Sequence, residues 1–201
     1  MLIAAATAAC ASSDTDSQAR TVQPGAPGEP SREVAGAAAP APGHTDADVT
    51  FMQGMIHHHA QALEMTALVA TRTARDDMTL LAQRIEVSQT DEIRTMQQWL
   101  TDRGAEVPSE HARHEPGAPL MPGMLTADEM AQLSSATGVG FDRLFLTLMI
   151  KHHQGALTMV KALLASPGAG QDSDVFAFAS DVEADQSMEI DRMAAMLAAM
   201  R

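Results

Sequence analysis

Apolar residues recur at helical spacing through this chain from about residue 46 to its end. The pattern predicts long helices over residues 46–73, 76–103, 140–165 and 174–200. Asp46 or Asp48 is the predicted N-cap of the first helix, and Gly104 is the predicted stop of the second. Thr126-x-x-Glu129 has the form of a capping box, which predicts a short helix ending near residue 138.

The helical pattern contains an internal duplication. Residues 55–65 and 149–159 both read M-I-x-H-H-x-x-A-L-x-M, and residues 85–96 and 182–193 form a second matching pair. Two duplicated helical hairpins predict an all-α fold that closes into a four-helix bundle. The predicted bundle domain is 46–201, with repeat 1 at 46–104, a connecting loop and short helix at 105–139, and repeat 2 at 140–201.

Helical phase separates the histidines of each repeat into inward and outward positions. At about 100° per residue, His58 and His59 share the half of their helix that carries the apolar residues. His57 falls on the opposite side and is predicted to be a solvated surface residue. The second copy keeps the inward types as His152 and His153 and has Lys151 at the outward position.

A glutamine interrupts the apolar stripe of the second helix in each repeat. Gln89 lies at the centre of its stripe with Glu92 on the flank, and Gln186 and Glu189 repeat the arrangement. A buried amide without a partner costs roughly 1–3 kcal/mol. We therefore expect both glutamines, together with the two glutamates, to hold or orient the inward imidazoles as second-sphere residues of a metal site.

Four imidazoles inside one bundle are costly unless a metal or a water cluster compensates for their burial. Imidazole and thioether ligands together suit copper, with Cu(I) favoured and Cu(II) accepted through nitrogen and carboxylate oxygen. The predicted metal ligands are His58, His59, His152 and His153, with thioethers from Met55 and Met149 first and from Met52, Met65 and Met159 next.

Other functional classes find less support in the residues. The chain has no Glu-x-x-His, which ferritin-like di-iron sites require, and no His-Glu-x-x-His zinc motif. A formal net charge of −13 repels phosphate backbones, so nucleic-acid binding is excluded and cations are the favoured partners. The core must be largely aliphatic, because the chain has 15 methionines, one tryptophan and no tyrosine.

The N-terminus predicts a location outside the cytoplasm. Residues 1–10 form a short apolar run that ends in small residues and Cys10, similar to the end of a bacterial lipoprotein signal, although no Lys or Arg precedes the run. Residues 11–45 are rich in Ser, Asp, Pro, Gly and Ala and predict a disordered tether. We expect a membrane-anchored lipoprotein, lipidated at Cys10, in the periplasm or at the cell surface.

The loop between the repeats contains His111 and His114, and residues 105–122 include four prolines. It is interpreted either as an arm that collects metal or as a plain connector.

Three motifs give the chain a family resemblance: D-x-x-F-M-x-x-M-I-x-H-H-x-x-A at residues 48–62, M-P-G-M-L at 121–125, and F-D-x-x-F-x-x-x-M-I-x-H-H-Q-G-A at 141–156. Together they resemble the bacterial family called domain of unknown function 305. The resemblance implies a ferritin-like helical fold and an extracytoplasmic setting, and it implies copper binding because some members are associated with copper.

The predicted function is copper sequestration or delivery, which is binding rather than catalysis. Two alternatives remain open from the residues. A ferritin-like redox enzyme would use the same ligands around an open coordination position. A metal-free helical interaction module would use the histidines as core residues and meet a protein partner, whose identity the sequence does not indicate.

Overall fold

A computed structural model describes residues 21–23, 32–34, 43–109 and 120–200. The predictions for Cys10, His111 and His114 lie outside these residues. Within the segment predicted to be a tether, β1 (Thr21–Gln23) pairs antiparallel with β2 (Arg32–Val34), and Thr21 lies opposite Val34. The sequence pattern does not predict these strands, because three residues are too few to establish an alternation.

The described residues after residue 42 fold into a helical bundle, which confirms the predicted all-α class. The helices are α1 (Asp46–Ala67), α2 (Val69–Arg72), α3 (Asp76–Asp102), α4 (Ala127–Ser135), α5 (Gly138–Ala165) and α6 (Ser173–Ala199). The four long helices form two hairpins, in which α1 packs along α3 and α5 packs along α6, and α1 also contacts α5. No described helix combines the length and the apolar character needed to cross a bilayer.

Capping boxes begin two of the helices. The prediction of Asp46 or Asp48 as the first N-cap is wrong, because Thr45 caps α1. The Thr45 hydroxyl accepts from the Asp48 N–H at 3.2 Å, and the Asp48 carboxylate accepts from the Thr45 N–H at 2.7 Å. Asp48 is therefore the second member of a capping box rather than the cap itself. The box predicted for Thr126 and Glu129 is confirmed at the start of α4.

The first long helix is shorter than predicted. It ends at Ala67 instead of residue 73, and a turn at Leu68 separates it from α2. The Leu68 N–H donates to the Met65 carbonyl at 3.2 Å, a bond to the third preceding residue that tightens the last turn. The β-branched residues Thr66, Val69 and Thr71 follow one another closely here and weaken a continuous helix.

The core consists of two apolar clusters with a polar layer between them. On α1, for example, the first cluster includes Phe51 and Ile56 and the second begins at Ala62, with the histidines in the interval. Burial of each large apolar side chain in the clusters contributes roughly 1.5–3 kcal/mol. The buried members of this polar layer are His58, His59, Gln89, His152, His153, Gln186 and Glu189.

Candidate metal centre

The four inward histidines meet in the polar layer at the middle of the bundle. All four are fully buried. The rings of His58 and His152 lie against each other across the two repeats, with their centroids 3.9 Å apart and their planes tilted by 36°. The His59 ring lies 6.4 Å from that of His58, and the His153 ring lies 6.3 Å from that of His152. The fold thus brings together the imidazoles that helical phase marked as inward.

The outward position is half-buried in both repeats. Lys151 at this position pairs with Glu129 on α4 at 2.7 Å. His57 is half-buried, so it is less exposed than the prediction of a solvated surface residue implies. Because α1 packs against both α3 and α5, its flanks are covered more completely than the phase of one isolated helix indicates.

Carboxylates orient two of the four rings. The Nε2 atom of His59 lies 2.5 Å from Glu92 Oε2, and that of His153 lies 2.8 Å from Glu189 Oε2. An ionised carboxylate only accepts hydrogen bonds, so the proton on each of these rings belongs on Nε2. In a neutral ring this tautomer leaves the Nδ1 lone pair available for a metal.

A backbone carbonyl orients the third ring. His58 Nε2 lies 2.9 Å from the Pro122 oxygen, which can only accept, so this ring also carries its proton on Nε2. Burial, and next the nearby His59, lower the pKa of His58 from 6.5 to about 3. Burial also lowers the pKa of His152 well below 6.5, with His58 the next cause. Both rings of the stacked pair are therefore neutral at pH 7, the state that metal coordination requires.

Several ring nitrogens in the polar layer lack a hydrogen-bond partner among the described residues. They are Nδ1 of His58, His59 and His153 and both nitrogens of His152. Each unsatisfied buried group costs roughly 1–3 kcal/mol, so a ligand that accepts electron pairs would stabilise this layer. A copper ion fits that requirement. In the described part of the chain, however, no three His, Cys, Asp or Glu side chains form a ready-made metal cluster. Metal binding therefore requires the rings to reorient.

The two glutamines do not hold the imidazoles as predicted. Both are buried, yet both amide atoms of Gln89 and the Oε1 atom of Gln186 lack a partner within the described residues. Glu92 and Glu189, one helical turn further on, bond the rings instead. The carboxylates prevail because a hydrogen bond to an ionised acceptor is stronger than one to a neutral amide.

The methionines predicted as ligands lie on both sides of the polar layer. Met52 and Met55 belong to the first apolar cluster, and Met65 and Met149 belong to the second. These four are buried, whereas Met159 is half-buried at the edge of the first cluster. Four of the five predicted thioethers are thus core side chains, and Met159 lies at the edge of the core.

A short part of the chain between the repeats, which we call the connecting segment (residues 121–125), covers one side of the histidines. Gln61 on α1 binds the Leu125 backbone twice, donating to its oxygen at 3.0 Å and accepting from its N–H at 2.7 Å. On α5, a Cβ atom at Gly155 would lie 2.0 Å from the Pro122 oxygen, so only glycine permits this approach. Gly123, with φ of 77°, makes the turn.

Sequence reasoning did not identify Gln61, Gly155 or Pro122 as functional positions. The available signal was the duplication, because Gln61 and Gly155 occupy equivalent positions of the repeated motif and differ in kind. A departure from an internal repeat marks a position where the two halves meet different neighbours.

An acidic groove of about 580 Å³ between α3 and α6 reaches the edge of the polar layer. Glu92, the partner of His59, lines it together with Asp181 and Asp185, and with Asp91 and Asp174, which pair with Arg94 and Arg103. Burial raises the pKa of Asp185, and the charges of Glu92 and Glu189 raise it further. The negative potential of this groove favours a cation beside His59.

The sequence profile of the family described as domain of unknown function (DUF305) matches residues 48–197, which include all four inward histidines. The chain belongs to the DUF305 family. No curated protein sequence gives a significant match to this chain.

Solved structures resemble this DUF305 protein over nearly their full length. A DUF305 fragment from Deinococcus radiodurans is 32% identical, with a TM-score of 0.68 over 78% of this chain and 99% of that one. A DUF305 protein from Streptomyces coelicolor, named as a predicted secreted protein, is 30% identical, with a TM-score of 0.65 over 77% and 93%. CopM in its Cu(II)-bound form is 26% identical, with a TM-score of 0.63 over 77% and 97%. CopM is also solved with Cu(I) and with silver.

Proposed function

We propose that this DUF305 protein binds copper in its central polar layer and serves to sequester or deliver the metal outside the cytoplasm. The observation that carries the proposal is the hydrogen bonding of three buried rings. His58, His59 and His153 each meet an acceptor at Nε2 and have no described partner at Nδ1. Neutral imidazoles with a free lone pair are the ligands that copper binds.

The ligand set that we propose is His58, His59, His152 and His153, supported by thioethers. Met55 and Met149 border the histidines along α1 and α5 and are the first thioether candidates; Met52, Met65 and Met159 follow. Soft sulfur donors favour Cu(I), while the imidazoles also accept Cu(II). The Cu(I)-bound and Cu(II)-bound forms of the similar protein CopM support this choice of metal.

Copper is proposed as a cargo rather than as a catalytic cofactor. A redox enzyme needs a coordination position open to its substrate, whereas all four rings here are fully buried. The acidic groove beside Glu92 offers a cation a route to His59. The carboxylates that line this groove attract a cation but not a neutral organic substrate. This arrangement supports uptake and release of an ion.

The extracytoplasmic setting is part of the same proposal. The Streptomyces coelicolor relative that is named as a predicted secreted protein supports it. Lipidation of Cys10 remains a prediction from the sequence, and the fractionation of expressed full-length precursor between membrane and soluble material tests it.

Substitution of the four inward histidines tests the copper site. The variant with His58, His59, His152 and His153 all changed to Ala should lose tight binding of both Cu(I) and Cu(II), because no imidazole then remains in the polar layer. Copper titrations with a competing chelator measure the loss, and circular dichroism verifies the helical fold. The single variants His59→Ala and His153→Ala provide the same test if the fourfold variant does not fold.

His57→Ala is the matched control for this experiment. It belongs to the same motif, but helical phase places it on the side of α1 opposite to His58 and His59, so copper affinity should stay nearly unchanged. Equal losses in the control and in the inward variants would contradict the proposed ligand set.

A further inference from the structure

Gly54 creates a notch in the surface of α1, one helical turn before His58. A glycine inside a helix costs about 1 kcal/mol relative to alanine, so its presence calls for a local reason. The equivalent position of repeat 2 is Leu148, so the duplication itself does not require a glycine. The reason lies in the side chains that fill the notch.

Two methionines from different parts of the chain meet at this notch. A Cβ atom placed on Gly54 would lie 3.2 Å from the Met121 sulfur and 3.4 Å from the terminal methyl carbon of Met159. Met121 belongs to the connecting segment and Met159 to α5, and both side chains are half-buried. The pair is therefore in contact with solvent, unlike the fully buried methionines beside the histidines.

The docking of the connecting segment fixes this arrangement. Along α1, the segment meets Gly54, His58 and Gln61 at successive turns of one helix face. Along α5, it meets Gly155, and Met159 follows one turn later on the same face. The contacts of the other residues in the connecting segment thus hold Met121 at the notch. A ligand site requires this kind of preorganisation.

We propose that Met121 and Met159 form a second, solvent-accessible site at Gly54 that takes a soft monovalent cation of the Cu(I) or Ag(I) class. Thioethers are neutral soft donors that select such ions over Cu(II) and Zn(II). This second site depends on the proposed function only for the class of metal that it binds. Its position, next to the segment that contacts His58, makes it a first point of capture for an ion bound for the polar layer.

Titration of the full chain with Ag(I) alone tests the site. All variants carry Cys10→Ser, because a free thiol would bind the same ion. The double variant Met121→Leu, Met159→Leu keeps the side-chain volume and should lose about one equivalent of bound Ag(I). Met188→Leu, at a 54% exposed methionine of α6, is the matched control and should bind as the parent does.

A second variant tests the notch without removing sulfur. Gly54→Ala places a methyl group against both methionines and should weaken Ag(I) binding at this site, although alanine favours the helix. Gly140→Ala in α5, where a Cβ meets no atom within 4 Å, is its control.

The outcomes separate this site from the histidine site. The fourfold histidine variant should lose Cu(II) and retain the Ag(I) equivalent that the double methionine variant loses. A double methionine variant that binds as much Ag(I) as its parent, and as tightly, would overturn the proposal and show that the two methionines only pack. Failure of the parent to bind Cu(II) would overturn the proposed function and leave the Ag(I) result to stand by itself.

Discussion

In repeat 1, His58 donates a hydrogen bond to the Pro122 carbonyl, whereas its counterpart His152 in repeat 2 has no described partner at either ring nitrogen. The same contrast appears one turn further along each helix. Gln61 binds the connecting segment through its side chain, while Gly155 lets the backbone of that segment approach directly. One connecting segment passes between two equivalent helices, so it cannot offer both of them the same contacts.

The glutamate partners show the opposite behaviour. His59 with Glu92 and His153 with Glu189 keep the same bond in both repeats. Contacts made inside one hairpin are thus preserved by the duplication, while contacts made to the connecting segment differ. We infer that the duplication supplies a symmetric set of imidazoles, and that the connecting segment makes the two sides of the site chemically distinct.

Acid should affect both repeats, and this is the largest effect that we expect. The pKa of His58 is about 3 in the folded protein, and that of His152 is also lowered, so the unfolded chain binds more protons below pH 6.5. The free energy of unfolding of the metal-free protein should keep its full value above pH 6.5 and should fall as the pH decreases from 6.5 toward 3. The loss is about 1.4 kcal/mol per pH unit for each ring.

Urea denaturation at a series of pH values, with a chelator present, measures this dependence. The variants His58→Gln and His152→Gln should each reduce the slope of the free energy of unfolding against pH by the contribution of one ring. The slope is measured between pH 6 and 4, inside the titration window. An unchanged slope in both variants would contradict the buried neutral pair. A reduction in only one of them would extend the asymmetry between the repeats to their protonation.

Gly155→Ala should break the docking of the connecting segment. Its Cβ would meet the Pro122 oxygen at 2.0 Å, and neither backbone can move without loss of the His58 contact. We expect a loss of about 2–3 kcal/mol in the free energy of unfolding, despite the better helix propensity of alanine. Chemical denaturation measures it, with Gly140→Ala as the control.

The equivalent change in repeat 1, Gln61→Ala, should be milder. It removes two hydrogen bonds to Leu125 but creates no clash, so we expect a loss of about 1–2 kcal/mol. Equal losses from Gly155→Ala and Gln61→Ala would show that the segment is held in the same way on both sides.

The glutamates provide the smallest expected contrast. Glu92→Gln and Glu189→Gln should each weaken copper binding by about tenfold, because the amide holds the imidazole less firmly than the carboxylate does. Glu189 is 4% exposed and has Arg84 at 3.9 Å, whereas the Glu92 side chain is 13% exposed and lines the acidic groove. Competition titrations measure the affinities, and stopped-flow mixing with copper should show slower metal uptake only for Glu92→Gln. Identical kinetics in both variants would argue against the groove as the route.

The sequence by itself determined the helices, the duplication and the inward histidines. Helical periodicity is a local property, so the positions of His58 and His152 on their helix faces follow from spacing alone. The capping box at Thr126 and Glu129 was readable for the same reason, since its two members lie within one turn. Even so, the extent of burial of His57 required knowledge of what packs beside α1.

Only the tertiary structure decided which group each histidine meets. Gln89 and Glu92 lie one turn apart on the same helix, and spacing did not distinguish the side chain that reaches His59. The contacts of Pro122 with His58 and of Met121 with the notch at Gly54 join residues that are more than sixty positions apart in the chain. Such contacts depend on how the hairpins pack and where the connecting segment crosses them, and periodicity within one helix contains no information about either.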